Sequence, residues 1–454
     1  MISRRRFVAG SALAALFTPG VLPGRSAHAA SSSLPWRNWS GGLVAHPAGR
    51  FAPGSEAELA DWMSATSGSL RPVGAGHSFT PLVPTDGHLL VLDRINGMTG
   101  HDPDTLQATF GAGTRLSSIG PALEEVGQGP LILPDIDRQT LAGAISTGTH
   151  GTGLTLHSLS GNVTGLRMVT ASGEVRTISE ATDPDLFKAA CVSVGALGVM
   201  TEITLQNRTA YRLKARNWAA RIDEVLEDFE ASATRHRHFE MFPLTHSDYA
   251  LVLSIDETDE PIDNPPISPE EEAAFGNAMR AWMDIPPGER RPLINGLAEQ
   301  IEPSVSVDAS FRILSNVRSN RFNEMEYAVP REVGAACVRE VLDTIAEREI
   351  DVVFPLEYRY VKGDDLWLSM DEGGDRAAIS VHRTASEDYR PLFDAVEPIF
   401  WKYGGRPHWG KVHSLGHAEL TRLYPQFEAF REIRAALDPA GRLLNDHLKK
   451  LFGA

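Results

Sequence analysis

Two short glycine-bearing turns constrain this 454-residue chain more than anything else in it. The first, Arg71-Pro-Val-Gly-Ala-Gly-His-Ser-Phe-Thr80, carries a histidine at its tip. The second, Thr147-Gly-Thr-His-Gly-Thr-Gly153, closes a stretch beginning at Asp137 in which small residues dominate. Small side chains let a backbone approach a ligand closely, and glycine supplies positive φ where a turn needs it. Successive backbone N–H groups in such turns form a concavity suited to anions. Neither turn sits in a dinucleotide fold: no G-x-G-x-x-G follows a strand and opens a helix, and no G-x-x-x-x-G-K-[ST] occurs. A nucleotide, if one is bound, is bound by another scaffold.

The segments around the turns are short and mixed. Ser55 followed by acids predicts a capped helix over Glu56–Met63. Leu70–Val73, Leu89–Leu92, Leu106–Phe110 and Leu131–Pro134 read as strands, and Leu116–Val126 as a helix weakened by Pro121. Leu166–Val169 and Val175–Ile178 flank a hairpin turn, Asp183-Pro184 opens a helix, and Val199–Leu205 is a strand. This is an α+β pattern rather than a βαβ succession.

The length predicts two domains, and composition shifts near Asn207–Tyr211. Residues 38–207 therefore form the first and 208–454 the second. In the second, Phe322–Pro330, Val352–Tyr360 and Ala378–His382 read as strands, and Arg331–Ile345, Asp388–Phe400 and Pro425–Leu437 as helices. Ala274–Met283 also has a helical pattern, residues 256–272 read as an exposed acidic loop, and Arg442–Leu451 as a tail. Glu357 and Arg359, two apart on a strand, share a face. They either pair across a sheet rim or, inside a pocket, fix a polar substrate.

The first residues predict export. Ser3-Arg-Arg-Arg-Phe7, an apolar run to Leu22 and Ala27-His-Ala29 together read as a twin-arginine signal over residues 1–29. The expected partner is the twin-arginine machinery, which carries folded, cofactor-loaded proteins, and the destination is periplasmic or secreted, free or membrane-associated. A net charge of −16 argues against a nucleic-acid partner. The two cysteines, Cys191 and Cys337, have no zinc-type spacing, and no metal is expected.

Val73-Gly-Ala-Gly-His-Ser-Phe79, Leu133–Gly153 and Ser193-Val-Gly-Ala-Leu-Gly-Val199 resemble the three cofactor loops of a flavoprotein family. That family is the sugar-lactone and alditol oxidases of the vanillyl-alcohol-oxidase superfamily, which includes D-arabinono-1,4-lactone and L-gulonolactone oxidases. Glu324–Pro330, Glu357-x-Arg359, Arg406–Lys411 and Leu437–Arg442 resemble markers of its C-terminal domain. The resemblance covers nearly the whole chain after the signal. It implies a PCMH-type FAD-binding domain of two α/β subdomains. An aldonolactone-oxidase-type substrate domain, with a mixed or antiparallel sheet flanked by helices, would follow. It implies FAD, bonded covalently to His77.

The loop matching Val73, Gly74, Ala75, Gly76 and Ser78 would hold the pyrophosphate. Asp137, Gly143, Ser146, Thr147, Gly148, His150, Gly151 and Gly153 would run along pyrophosphate and ring, with His150 either a contact or a structural histidine. Gly195, Gly198, Val199 and Ile203 would lie on the adenine side. Glu357, Arg359 and Lys411 would face the flavin and hold sugar hydroxyls, with Glu357 or Lys411 as the base. His413 departs from the expected aromatic residue, which leaves substrate size and class open. Asp137 falls near a position where relatives place a substrate-contacting serine.

The implied reaction is oxidation of a CH–OH group of an aldono-1,4-lactone or alditol by hydride transfer to FAD, with O2 as acceptor giving H2O2. A dehydrogenase of the same fold using a quinone or cytochrome, and a non-catalytic carbohydrate-binding protein, are the alternatives.

Overall fold

The computed structural model describes residues 34–265, 281–316 and 320–454. The expected signal, most of the expected 274–283 helix, and residues 266–272 of the acidic tract lie outside them. Near the start, β1 (Trp36–Arg37) pairs with β2 (Val44–Ala45). A parallel sheet follows, with β3 (Gly49–Phe51), β4 (Leu70–Val73) and β5 (His88–Val91) in the order β3-β5-β4. Parallel strands need a crossover, and the helix Glu56–Ala65 provides one between β3 and β4. Its first turn is fixed by Ser55 Oγ, which accepts from the Glu58 N–H at 3.1 Å, and it buries Leu59 and Met63.

A second sheet is antiparallel. It contains β6 (Met98–Asp102), β7 (Gln107–Gly111), β8 (Gln128–Pro130), β9 (Val163–Val169), β10 (Val175–Ile178) and β11 (Val199–Thr209). The order is β10-β9-β11-β7-β6, with β8 on the far end of β11. The strand expected at Leu131–Pro134 forms earlier, as β8. Pro130 is its last residue in register with β11, and Ile132 and Leu133 are buried without a ladder. The small-residue stretch after Asp137 contains a helix, Leu141–Ser146, and Asp183 caps the helix Pro184–Cys191.

The third sheet positions the chemistry. Its strands are β12 (Arg212–Arg221), β13 (His238–Pro243), β14 (Tyr249–Thr258), β15 (Ser304–Ala309), β16 (Phe322–Pro330), β17 (Glu357–Val361), β18 (Arg376–Thr384) and β19 (Arg406–Pro407). They run β15-β12-β14-β13-β17-β18-β16-β19, each pair antiparallel. Alternation sends neighbouring side chains to opposite faces. Tyr358 and Tyr360 pack on Phe229 of the helix Ile222–Arg235, at ring distances of 4.5 and 4.9 Å. Tyr327 stacks on Phe400 of the helix Arg390–Lys402. Glu357, Arg359, Glu324 and Glu326 are thereby turned to the other face.

Three readings shift. β11 continues to Thr209 and β12 begins at Arg212, so the compositional change marks a two-residue connection. The acidic tract begins inside β14, where Asp256 Oδ2 pairs with His236 Nδ1 at 2.6 Å. The expected tail holds a helix, Asp446–Phe452, that buries Leu448, Leu451 and Phe452. It crosses back to the first sheet: Leu70 N–H donates to the Arg442 carbonyl at 2.8 Å, and Asn445 Nδ2 to the Pro81 carbonyl at 2.8 Å. One apolar core accordingly runs from Leu59 through Ile203 and Tyr358 to Phe452. Both cysteines are buried and unbridged.

Candidate active site

β4 ends in the first glycine turn, where Gly76 has a φ of +65° that only glycine adopts without strain. The turn is held from several sides. Trp39 N–H donates to the Gly76 carbonyl at 2.7 Å, and Phe79 N–H to the Gly410 carbonyl at 2.7 Å. Asn38 Nδ2 donates to the Ser78 carbonyl at 3.0 Å. The Trp39 ring stacks on His77, centroids 4.2 Å apart. Burial, then the Lys411 charge, push His77 down to about 4, so its imidazole is neutral at ordinary pH. Its Nε2 is buried and has no hydrogen-bond partner among the described residues.

Beneath this turn lies Arg71, fully buried. Its Nε donates to the Leu82 carbonyl at 2.8 Å, Nη1 to Gly195 at 2.9 Å and Leu443 at 2.5 Å, and Nη2 to Val194 at 2.7 Å. It ties both ends of the chain to the third small-residue turn, where Gly195 has a φ of +66°.

The cavity-facing alternation of the third sheet builds a charged cluster that is largely buried. Lys411 Nζ pairs with Glu324 Oε2, and His382 Nε2 lies 3.6 Å from Glu324 Oε1. Arg359 Nη2 sits 3.3 Å from Glu357 Oε2 and 3.4 Å from Glu326 Oε2. Burial opposes ionisation of Glu324, but Lys411 and His382 hold it well below the usual carboxylate range. Glu240 of β13 stands opposite Arg359 in register. Burial raises it to about 7 against the pull of Arg359, and the Thr152 hydroxyl donates to it at 2.5 Å.

His150 is a hydrogen-bonded cation in the cavity wall. Its Nδ1 is 2.8 Å from the Gly151 carbonyl and its Nε2 is 2.5 Å from Glu326 Oε1. Both neighbours are acceptors, so both nitrogens carry hydrogen and the ring is an imidazolium. Burial works against that charge, yet the Glu326 carboxylate prevails and raises the histidine's pKa. Ser380 Oγ donates to the other Glu326 oxygen at 2.8 Å.

One cavity of about 1450 Å³ joins the turns to the cluster. Its walls include Val73 through Ser78, Gly143, Ser146, Thr147, His150, Gly195, Gly198, Val199, Glu357, Arg359 and Lys411. Five expected contacts are not among the walls. Asp137 turns to Arg138 at 3.3 Å. Gly148 closes the short helix, its N–H 3.0 Å from the Ile145 carbonyl. Gly151 backs onto Leu133, and Gly153 donates to the Tyr360 carbonyl at 2.8 Å. Ile203 pairs with Phe110 and Leu166 in the core. His413 is likewise absent from the walls, next to His447. Glu324, Glu326, His382 and Glu240 were missed in the sequence. The first two repeat the two-residue spacing that singled out Glu357 and Arg359, which was the available signal.

The residues fit FAD. The cavity exceeds the roughly 300–1,000 Å³ usual for one small ligand. A Cβ at Gly74 would stand 2.0 Å from Thr140 Oγ1, so no side chain enlarges that turn. The orphaned His77 nitrogen completes the case. A metal fits less well: Glu324, Glu357 and His382 bring ligand atoms within 4.8 Å of one another, but Lys411 and Arg359 already neutralise those carboxylates.

Comparison with known proteins agrees. Residues 203–451 match the D-arabinono-1,4-lactone oxidase family and residues 47–179 an FAD binding domain. L-gulono-1,4-lactone dehydrogenase of Mycobacterium tuberculosis is 36% identical over 92% of this chain and 99% of its own. L-gulonolactone oxidase of Mus musculus is 28% identical over 92% of this chain and 98% of its own. In fold, a cholesterol oxidase from Brevibacterium sterolicum superposes with a TM-score of 0.76 over 95% of this chain and 100% of its own, at 17% identity. The chain belongs to the D-arabinono-1,4-lactone oxidase family and is an FAD-dependent oxidoreductase acting on CH–OH donors.

Proposed function

We propose that the protein carries FAD covalently on His77 and oxidises a ring or chain CH–OH group of an aldono-1,4-lactone or alditol. One observation carries the reading: the unpartnered His77 Nε2 and the Glu357–Arg359–Lys411 cluster share one cavity. Bound FAD supplies the two-electron acceptor. Around the substrate, Arg359 and Lys411 donate to hydroxyl oxygens and stabilise negative charge as it develops there. Of the clustered carboxylates, Glu324 and Glu326 are engaged by several partners, whereas Glu357 is held through Oε2 alone. Its other oxygen takes the hydroxyl hydrogen, as general base. His77, neutral and pinned under Trp39, would hold the flavin through its unpartnered nitrogen.

With O2 as acceptor, alcohol plus O2 gives carbonyl plus H2O2. The name of the 36%-identical relative favours a second reading, a dehydrogenase passing electrons to a quinone or cytochrome. Peroxide yield measured against reduction of an artificial dye on the same substrate panel separates the two. Acid precipitation tests the attachment: wild-type protein should pellet yellow and His77→Ala colourless. Flavin pelleting equally with both would refute the bond.

Export by the twin-arginine route is also proposed, on the strength of Ser3-Arg-Arg-Arg-Phe7. Replacing the three arginines by lysine should trap loaded protein inside the cell. Undiminished export of that variant would contradict the route.

A further inference from the structure

The cavity face of the third sheet changes character partway across. β16, β17 and β18 present charged and polar side chains. One strand further, Glu240 of β13 lies opposite Arg359, and Phe242, two residues on, points the same way. Phe242 is in register with Leu251 of β14, and Leu251 with Ala219 of β12. The helix Arg290–Ala298 lays Ile294 and Ala298 over this apolar half, and Trp282 packs with them. Phe242, Leu251, Trp282, Ile294 and Ala298 are walls of the same cavity as Glu357 and Arg359, and Phe354 and Pro355 also line it. The exposed Glu299, Gln300 and Glu302 belong to its walls too, so among the described residues the apolar half extends to the surface.

A bare sugar lactone uses only the polar half. O2 needs no chamber. A separate apolar acceptor would leave the continuity of this chamber with the charged cluster unused. A single molecule with a hydroxylated head and an apolar tail satisfies both halves at once.

We propose that the substrate of this site is amphiphilic. Its polyhydroxy lactone or alditol head lies in the Glu357–Arg359–Lys411 cluster. An alkyl or aryl tail fills the chamber of Phe242, Leu251, Trp282, Ile294 and Ala298. The inference rests on the reading of that cluster as the sugar-oxidising site.

The test is a homologous series on flavin-loaded protein: L-gulono-1,4-lactone and its ethyl, butyl and hexyl ethers at the terminal hydroxyl. Turnover is read with an artificial electron acceptor. Each buried methylene should raise kcat/KM by about threefold to fourfold. In Ala298→Phe, which fills the chamber, the rise with chain length should flatten. If that variant does not fold, the wild-type series decides alone. A bare lactone that is oxidised while its ethers gain nothing, or lose, overturns the amphiphile and leaves the sugar site intact. Failure of every member, and of a panel of other aldono-1,4-lactones and alditols run beside it, to be oxidised overturns the sugar-site reading itself, and the inference with it.

Discussion

At the scale of single residues, the Glu326–His150 pair is the least expected part of the site. The sequence left His150 between a cofactor contact and a structural histidine; in the fold it lines the cavity and is held by two acceptors. Nothing local to Thr147–Gly153 reveals this, because its partner lies 176 residues away on β16. Glu326→Gln removes the charge that keeps the imidazolium. Breaking a buried pair costs about 3–5 kcal/mol, so the variant should melt measurably lower. The sign with pH follows from the raised histidine. Its contribution is complete below the ordinary value of 6.5 and is lost as pH rises through the raised folded-state value. Melting curves across that alkaline side should show a decline in wild type that Glu326→Gln lacks; parallel curves would rule the pair out as its source.

Among elements, the joins matter more than the strands. Arg71 belongs to the opening motif, yet its position says nothing about its four carbonyl partners on three distant segments. Arg71→Met leaves those carbonyls unsatisfied and should cost at least about 3 kcal/mol, a fall in melting temperature of about 3 °C or more for a chain of this length. Arg71→Lys should recover little, because an ammonium lacks the guanidinium fork. Full recovery by lysine would mean that charge alone matters. In the third sheet, β16 and β18 were legible because β-branched and aromatic residues recur along them; the run expected over Val352–Tyr360 forms a strand only from Glu357, and β12, β15 and β19 were not read. The tail helix was not. At seven residues it is too short to be stable alone, and only the packing of Leu448, Leu451 and Phe452 makes it. Leu131–Pro134 misled because a short apolar run does not declare its secondary structure.

For the whole molecule, residues from both ends of the chain share one core and one cavity, and sheet register assembles the site. Glu357 and Arg359 were visible as a pair; Glu240 and His382 reach them only through the pairing of β13 and β18 with β17, which sequence spacing does not encode. Burial also leaves four histidines besides His77 neutral: His238 and His447 near 4, His408 and His413 near 3. A histidine depressed in the folded state stabilises above its unfolded value and loses that contribution as pH falls. Stability should therefore drop between pH 6.5 and about 4, by up to about 1.4 kcal/mol per pH unit for each group. Thermal melts that stay level through that window would contradict the neutral assignments.

The most direct test mixes flavin-loaded protein with L-gulono-1,4-lactone without oxygen and follows flavin absorbance. Wild type should bleach, and Glu357→Gln and Arg359→Leu should each slow bleaching by about 10²-fold or more. Bleaching at the wild-type rate in both variants would show that the cluster is not where the substrate is oxidised.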